Sequence, residues 1–132
     1  MKVLIVGGVA GGATAAARLR RLDEHAEIIL FERGEYISFA NCGLPYYIGG
    51  EITDKADLTV QTPKGFYDRF RVDIRTQNEV IAIDPVAKVG DVKDLKTGEV
   101  YNESFDKLIL APGAAPLRPK FDGAELDRVF TL

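Results

Sequence analysis

The sequence predicts an α/β fold with a three-stranded antiparallel meander inserted into it. Three observations carry this. Two apolar runs, Val3-Leu4-Ile5-Val6 and Ile28-Ile29-Leu30-Phe31, are continuous rather than alternating, as in strands buried on both faces of a parallel sheet. Between them lie a glycine-rich loop and an alanine- and arginine-rich stretch, so the first 33 residues read strand, loop, helix, strand. Strand signals at 72–84, 89–93 and 99–103 then crowd together ahead of a third buried run, 107–111.

The elements follow in order. Alanine favours helix over 13–22, with Ala15, Leu19 and Leu22 on its buried face. Thr14, Arg18 and Arg21, at i, i+4 and i+7, share a neighbouring face. Asp23-Glu24-His25 turns the chain, and His25 there lacks the partners that metal binding or a catalytic triad needs. Residues 33–41 are irregular. A short helix is expected over 42–48, with Pro45 in its first turn and Gly49-Gly50 after its end. Another is expected over 63–70, capped by Thr62. The signal at 72–84 is broken near Thr76-Gln77-Asn78, and Thr97-Gly98 supplies a hairpin turn. Gly90 interrupts an alternating strand and suggests a bulge or hairpin distortion there. From Ala114 onward the chain is punctuated by proline and reads as a surface excursion.

Bulk properties narrow the function classes. A chain of 132 residues, 46% hydrophobic, is one ordinary domain able to bury a core. A net charge of −3 gives nucleic acid no electrostatic footprint. The four-residue apolar run before Gly7 is too short for a signal-peptide core or a membrane span, so no membrane partner is expected. The single cysteine, Cys42, cannot form an intramolecular disulfide framework, which fits a reducing cytoplasm. No metal site is expected.

Chemistry concentrates in two places. The first is Gly7-Gly8-Val9-Ala10-Gly11-Gly12 between a strand and a helix. Free backbone N–H groups and the helix dipole make such a junction a pyrophosphate site. Gly7 and Gly12 fill the first and last places of the G-x-G-x-x-G spacing, while Val9 stands in the middle place; Gly8 and Gly11 flank it and keep the backbone open. Glu32 closes the next strand about 25 residues after Gly7, near the offset of the acid that holds a ribose. Its carboxylate accepts from vicinal hydroxyls and repels a 2′-phosphate, which argues against NADP at this site. The plainer alternative is a loop used only for tight packing, with Glu32 a solvated strand end.

The second place is Cys42, in Ser38-Phe39-Ala40-Asn41-Cys42-Gly43-Leu44-Pro45-Tyr46-Tyr47. A lone cysteine is most often a small buried hydrophobe. Here it opens an expected helix, a setting that favours the reactive thiolate, and it follows the nucleotide unit closely enough to reach a cofactor ring.

The glycine loop, taken together with Ser38 to Pro45, resembles the single-cysteine branch of the flavoprotein disulfide reductases. Its members include coenzyme A-disulfide reductases, relatives that reduce CoA persulfides or polysulfide, and NADH oxidases. The likeness runs along the whole chain and includes Leu108-Ile109-Leu110-Ala111-Pro112-Gly113-Ala114, similar to the family's second flavin-contacting strand and loop. It implies a Rossmann-like FAD-binding domain, here incomplete: the N-terminal segment, residues 1–132, of a discontinuous domain. NAD(P)H-binding and dimerisation domains would lie outside this chain, and the full-length protein would be a homodimer. FAD would lie along Gly7 to Gly12, with Glu32 on the ribose, Arg33 and Val80 near the adenine, and Asn41, Cys42, Ala111, Pro112 and Gly113 also contacting it. Cys42 would be catalytic, passing electrons from NAD(P)H and FAD to a disulfide, persulfide or sulfenate. The position five residues on, a second cysteine in the better-known reductases, is Tyr47 here. Thr14, Arg18, Arg21, Ser38 and Asn41 match positions that line a CoA channel; for Arg18 and Arg21 a plain solvated helix face is the alternative. Three functions stay open: a CoA-disulfide or CoA-persulfide reductase, an NADH oxidase cycling Cys42 through sulfenic acid, and a nucleotide-binding module with a structural cysteine.

Overall fold

The computed structural model describes residues 1–130. Strand β1 (Lys2–Val6) leads into helix α1 (Ala10–Leu22), and β2 (Glu27–Glu32) returns parallel to β1. A 3₁₀ turn (Asn41–Gly43), helix α2 (Leu44–Ile48), a second 3₁₀ turn (Lys55–Leu58) and helix α3 (Pro63–Phe70) follow. Then come β3 (Asp73–Thr76), β4 (Asn78–Asp84), β5 (Val89–Asp94), β6 (Val100–Ser104) and β7 (Lys107–Leu110). One sheet has four parallel strands in the order β3-β2-β1-β7, and a second has three antiparallel strands in the order β4-β5-β6. The α/β class and the inserted meander are therefore both present.

The continuous apolar runs are explained by three layers. Alternate residues of β1 and β2 face opposite ways. Val3, Ile5, Ile28 and Leu30 pack with Ala13 and Ala16 of α1 and Phe66 of α3. Leu4, Ile29 and Phe31 pack with Val92 and Phe105 on the meander side. The parallel sheet is thus sandwiched between helices and meander, and both of its central strands are buried on both faces.

Several expectations need correction. Helix α1 begins at Ala10, not 13, so Gly11 and Gly12 lie inside it and the loop shrinks to Gly7–Val9. Its buried residues are Gly12, Ala13 and Ala16, with Leu19 only partly covered and Leu22 66% exposed. The helix approaches loop and sheet most closely near its start, where a Cβ at Gly12 would meet the Gly7 carbonyl oxygen and come within 3.1 Å of Ile5, so the small residues there are the ones covered. The break expected within 72–84 is present, but the first half of the segment lies outside the meander. Gln77, at φ +56, makes the break, leaving β3 in the parallel sheet beside β2 and β4 in the meander. The bulge falls at Ile81 of β4, between the pairs Val80–Val92 and Ala82–Asp91, while Gly90 pairs regularly with Ile83. Thr62 does cap α3, its Oγ1 accepting from Gly65 N at 3.1 Å. Residues 114–130 form turns and mostly exposed coil, as expected.

Arg20 does work that composition did not reveal. Its Nε donates to the Phe70 carbonyl at 2.8 Å and its Nη2 to the Arg71 carbonyl at 3.0 Å. A third nitrogen donates to the Glu24 carbonyl at 2.6 Å. One guanidinium so satisfies the end of α3 and the turn after α1 together. Among the described residues no helix is long and apolar enough to cross a membrane.

Candidate functional site

Gly7 sits at φ +100, and a Cβ there would collide with the Ala111 carbonyl oxygen. A Cβ at Gly12 would collide with the carbonyl oxygen of Gly7. Both positions thus require glycine, the first for conformation and the second for the approach of helix to loop. The Gly7 N–H donates to the Phe31 carbonyl at 2.8 Å, and the Ala111 N–H to the Val6 carbonyl at 2.8 Å, so three strand ends converge on the loop. Val9 occupies the N-cap position of α1, and its side chain caps nothing. It lines the cleft that holds Cys42 instead, so the missing middle glycine does not obstruct the turn.

Two clefts flank this loop. The first, about 140 Å³, is lined by Val6, Gly7, Phe31, Glu32, Arg33, Asn78, Glu79, Val80 and Pro112. Glu32 stands at its edge with both carboxylate oxygens bonded, Oε2 accepting from Gly8 N–H at 2.8 Å and Oε1 from Gly34 N–H at 2.7 Å. A carboxylate accepts about four hydrogen bonds, so capacity for two hydroxyls remains. Arg33 pairs loosely with Glu79 at 4.0 Å.

The second cleft, about 450 Å³, lies across the loop and is lined by Val9, Ala10, Ala13, Thr14, Ser38, Phe39, Ala40, Asn41, Cys42 and Val60. Cys42 is exposed within the 3₁₀ turn Asn41–Gly43, ahead of α2 rather than inside its first turn. Gly43 seats that turn, since a Cβ there would come within 2.6 Å of the buried Leu58. Ser38 ties the turn to the loop: its N–H donates to the Gly8 carbonyl at 2.9 Å and its carbonyl accepts from Val60 N–H at 3.2 Å. A larger hollow of about 550 Å³, bordered by Tyr36, Phe39, Lys55 and Gln61 among others, touches neither Cys42 nor the glycine loop. Chemistry rather than size selects the Cys42 cleft.

The expected site residues are mostly brought together. Gly7, Glu32, Arg33, Val80 and Pro112 line the first cleft, and Val9, Ala10, Thr14, Ser38, Asn41 and Cys42 the second. Gly8, within the loop, and Gly12, in the first turn of α1, are buried; Gly11 faces the Ala111 side chain, and Gly113 is exposed after β7 at φ +74. Arg18 and Arg21 line neither cleft; both are exposed on α1. Phe31 and Asn78 in the first cleft, and Phe39 and Val60 in the second, were not foreseen. Asn78 was visible only as part of a break in a strand signal.

The family model for pyridine nucleotide-disulphide oxidoreductases matches residues 1–132, the whole chain. The chain belongs to that family. Its FAD enzymes draw on NADH or NADPH. The coenzyme A disulfide reductase of Staphylococcus aureus is 47% identical over 131 residues, covering 99% of this chain and 29% of that protein. The crystal structure of reduced Bacillus anthracis CoADR-RHD superposes with a TM-score of 0.89 at 57% identity, over 94% of this chain and 22% of that one. The water-forming NADH oxidase of Lactobacillus brevis, bound to NADH, gives a TM-score of 0.87 at 34% identity, over 97% of this chain and 28% of that one. The chain therefore spans under a third of the length of these relatives.

The loop of this oxidoreductase chain fits the pyrophosphate of such a cofactor. Gly7 and Gly12 leave no room for a Cβ, and the first turn of α1 has no side-chain cap over its free N–H groups. Among the described residues no group of three or more His, Cys, Asp and Glu is gathered as for a metal ion.

Proposed function

We propose that this chain is the N-terminal segment of a discontinuous FAD-binding domain, in an NAD(P)H-dependent enzyme that reduces CoA disulfide or CoA persulfide/polysulfide through Cys42. One observation carries this reading: the sole cysteine and the glycine loop wall the same cleft, so a dinucleotide held by the loop lies beside the thiol. The NAD(P)H-binding and dimerisation domains belong to parts of the enzyme outside this chain, and the assembled enzyme is a homodimer in the cytoplasm, where a free thiol persists.

The chain's own residues divide the work. Gly7 to Gly12 hold the pyrophosphate, Glu32 the ribose, and Arg33 and Val80 border the adenine. Ala111, Pro112 and Gly113 close the loop from the β7 side. Bound FAD supplies an electron pair drawn from NAD(P)H. The Cys42 thiolate attacks one sulfur of the substrate disulfide, forming a mixed disulfide and releasing one CoA thiolate. Two electrons and a proton then restore Cys42 and release the second CoA thiol. Thr14, Ser38 and Asn41 surround the thiol in the cleft. Arg18 and Arg21, exposed further along α1, meet the phosphates of a ligand extending out of it.

The test is mass spectrometry of the purified protein. A CoA-sized adduct on Cys42, released by dithiothreitol, is the expected result. The second reading, an oxidase cycling Cys42 through sulfenic acid, is favoured by the likeness to the Lactobacillus brevis enzyme. A dimedone-trapped sulfenate with no CoA adduct would establish it. The greater identity to the coenzyme A disulfide reductase, 47% against 34%, supports the first.

A further inference from the structure

We propose that Asn78 reads the base of the bound nucleotide and that its amide is set for adenine. This rests on the nucleotide reading of the Glu32 cleft. Thr76 is the partner of Glu32 in the β2–β3 ladder, and the Gln77 N–H donates to the Gly34 carbonyl at 3.0 Å. Asn78 therefore enters the cleft wall beside the strand end that carries the ribose acid.

The sense of its amide is fixed by a one-way relay. A guanidinium can only donate, so Arg75 Nη1, 3.4 Å from the Tyr101 hydroxyl oxygen, leaves the hydroxyl proton free for Asn78 Oδ1 at 2.8 Å. A backbone carbonyl can only accept, so the atom 3.0 Å from the Thr76 oxygen is Asn78 Nδ2. The origin of the relay is anchored on both sheets. Arg75 of β3 pairs with Asp73 at 2.9 Å and with Glu103 of β6 at 2.6 Å, and its guanidinium stands 5.5 Å over the Phe31 ring.

An amide carries two N–H donors and two acceptor lone pairs. The two bonds to Tyr101 and Thr76 use one of each, leaving one donor and one acceptor for the cleft. Adenine offers the complement, an amino donor beside a ring-nitrogen acceptor, the pairing that makes asparagine a reader of adenine elsewhere. Hypoxanthine carries a carbonyl where adenine carries the amino group, so an acceptor would meet an acceptor. Phe31 and Val80, in the same cleft, give a purine apolar walls.

The test is calorimetric titration of the 132-residue chain with ADP and with IDP, which differ only at that base edge. The expected preference for ADP is about tenfold, within the range of a good bidentate amide–base pair. In Asn78→Ala both diphosphates still bind and the ratio falls to near one. Tyr101→Phe, which alters no residue lining the cleft, narrows the ratio by freeing the amide to turn. A wild-type ratio of one overturns the inference without any variant. So does an Asn78→Ala protein that weakens both ligands by the same factor, or a Tyr101→Phe protein with the full preference. Binding of neither diphosphate by the wild type overturns the nucleotide reading itself, and the inference with it.

Discussion

A methyl group at Gly12 and one at Gly11 have opposite expected effects, although the two residues are adjacent in α1. At Gly12 the added carbon runs into the carbonyl oxygen of Gly7, which is backbone and cannot rotate away. At Gly11 it meets only the Ala111 side chain, at an ordinary 3.4 Å. Gly12→Ala should destabilise the fold by roughly 1–3 kcal/mol, as overpacking does, and lower nucleotide affinity by displacing the loop. Gly11→Ala should be neutral or gain up to about 1 kcal/mol from helix propensity. Urea unfolding of the two variants checks this, and equal losses would contradict it. The sequence marked both glycines as loop residues and could not rank them. Their difference comes from tertiary distances, one to the loop's own backbone and one to Ala111, just after β7. The sequence also marked Val9 as a defect in the fingerprint, and that too was a matter of direction: its side chain lines the Cys42 cleft rather than the turn.

At the scale of elements, the meander is fastened to the parallel sheet by charge as well as by the Leu4, Ile29, Phe31 and Val92 core. Glu103 of β6 joins Lys2 of β1 and Arg75 of β3. Burial alone would raise the Glu103 pKa, but its hydrogen bonds to Lys2 and Arg75 outweigh this and hold it below its ordinary value of 4.5. Lys2 is held above 10.5, chiefly by its bond to Glu103. A carboxylate with a lowered folded pKa contributes its full stability above pH 4.5 and loses it as pH falls through the folded value. The raised lysine contributes fully below pH 10.5 and loses its part as pH rises past the folded value. Glu103→Gln should therefore cost roughly 1–3 kcal/mol near pH 7, and the gap from wild type should shrink as pH falls below 4.5. Thermal unfolding across pH 3–7 measures it, and a gap independent of pH would refute the assignment. This fastening was not legible in the sequence. Lys2, Arg75 and Glu103 are far apart along the chain and meet only because Gln77, at positive φ, turns β3 and β4 into different sheets. The strands themselves were legible, because continuous apolar runs and a Thr-Gly turn are local signals. Arg20 illustrates the same limit: nothing in its local sequence sets it apart, and it is the clamp between α1 and α3.

For the whole molecule, the question is what one glycine loop and one thiol can do without the rest of such an enzyme. The chain covers 29% of its S. aureus relative. Among the described residues a glycine loop joins strand to helix once, between β1 and α1, and on the reading proposed here FAD fills that site. Hydride transfer needs a second dinucleotide held against the flavin ring, because most of the rate comes from fixed proximity and orientation. Neither cleft offers a second such loop: one is bordered by Glu32 and the meander, the other by Cys42 and α1. The 132-residue chain, mixed with FAD and NADH, should thus consume NADH no faster than free FAD does. It should still bind ADP through the loop and present Cys42 to alkylating reagents, since the thiol is exposed. NADH absorbance decay, compared between wild type, Cys42→Ser and a protein-free control, decides the matter. Turnover above the control that vanishes in Cys42→Ser would show that the loop and thiol suffice for the whole electron path, and would overturn this expectation.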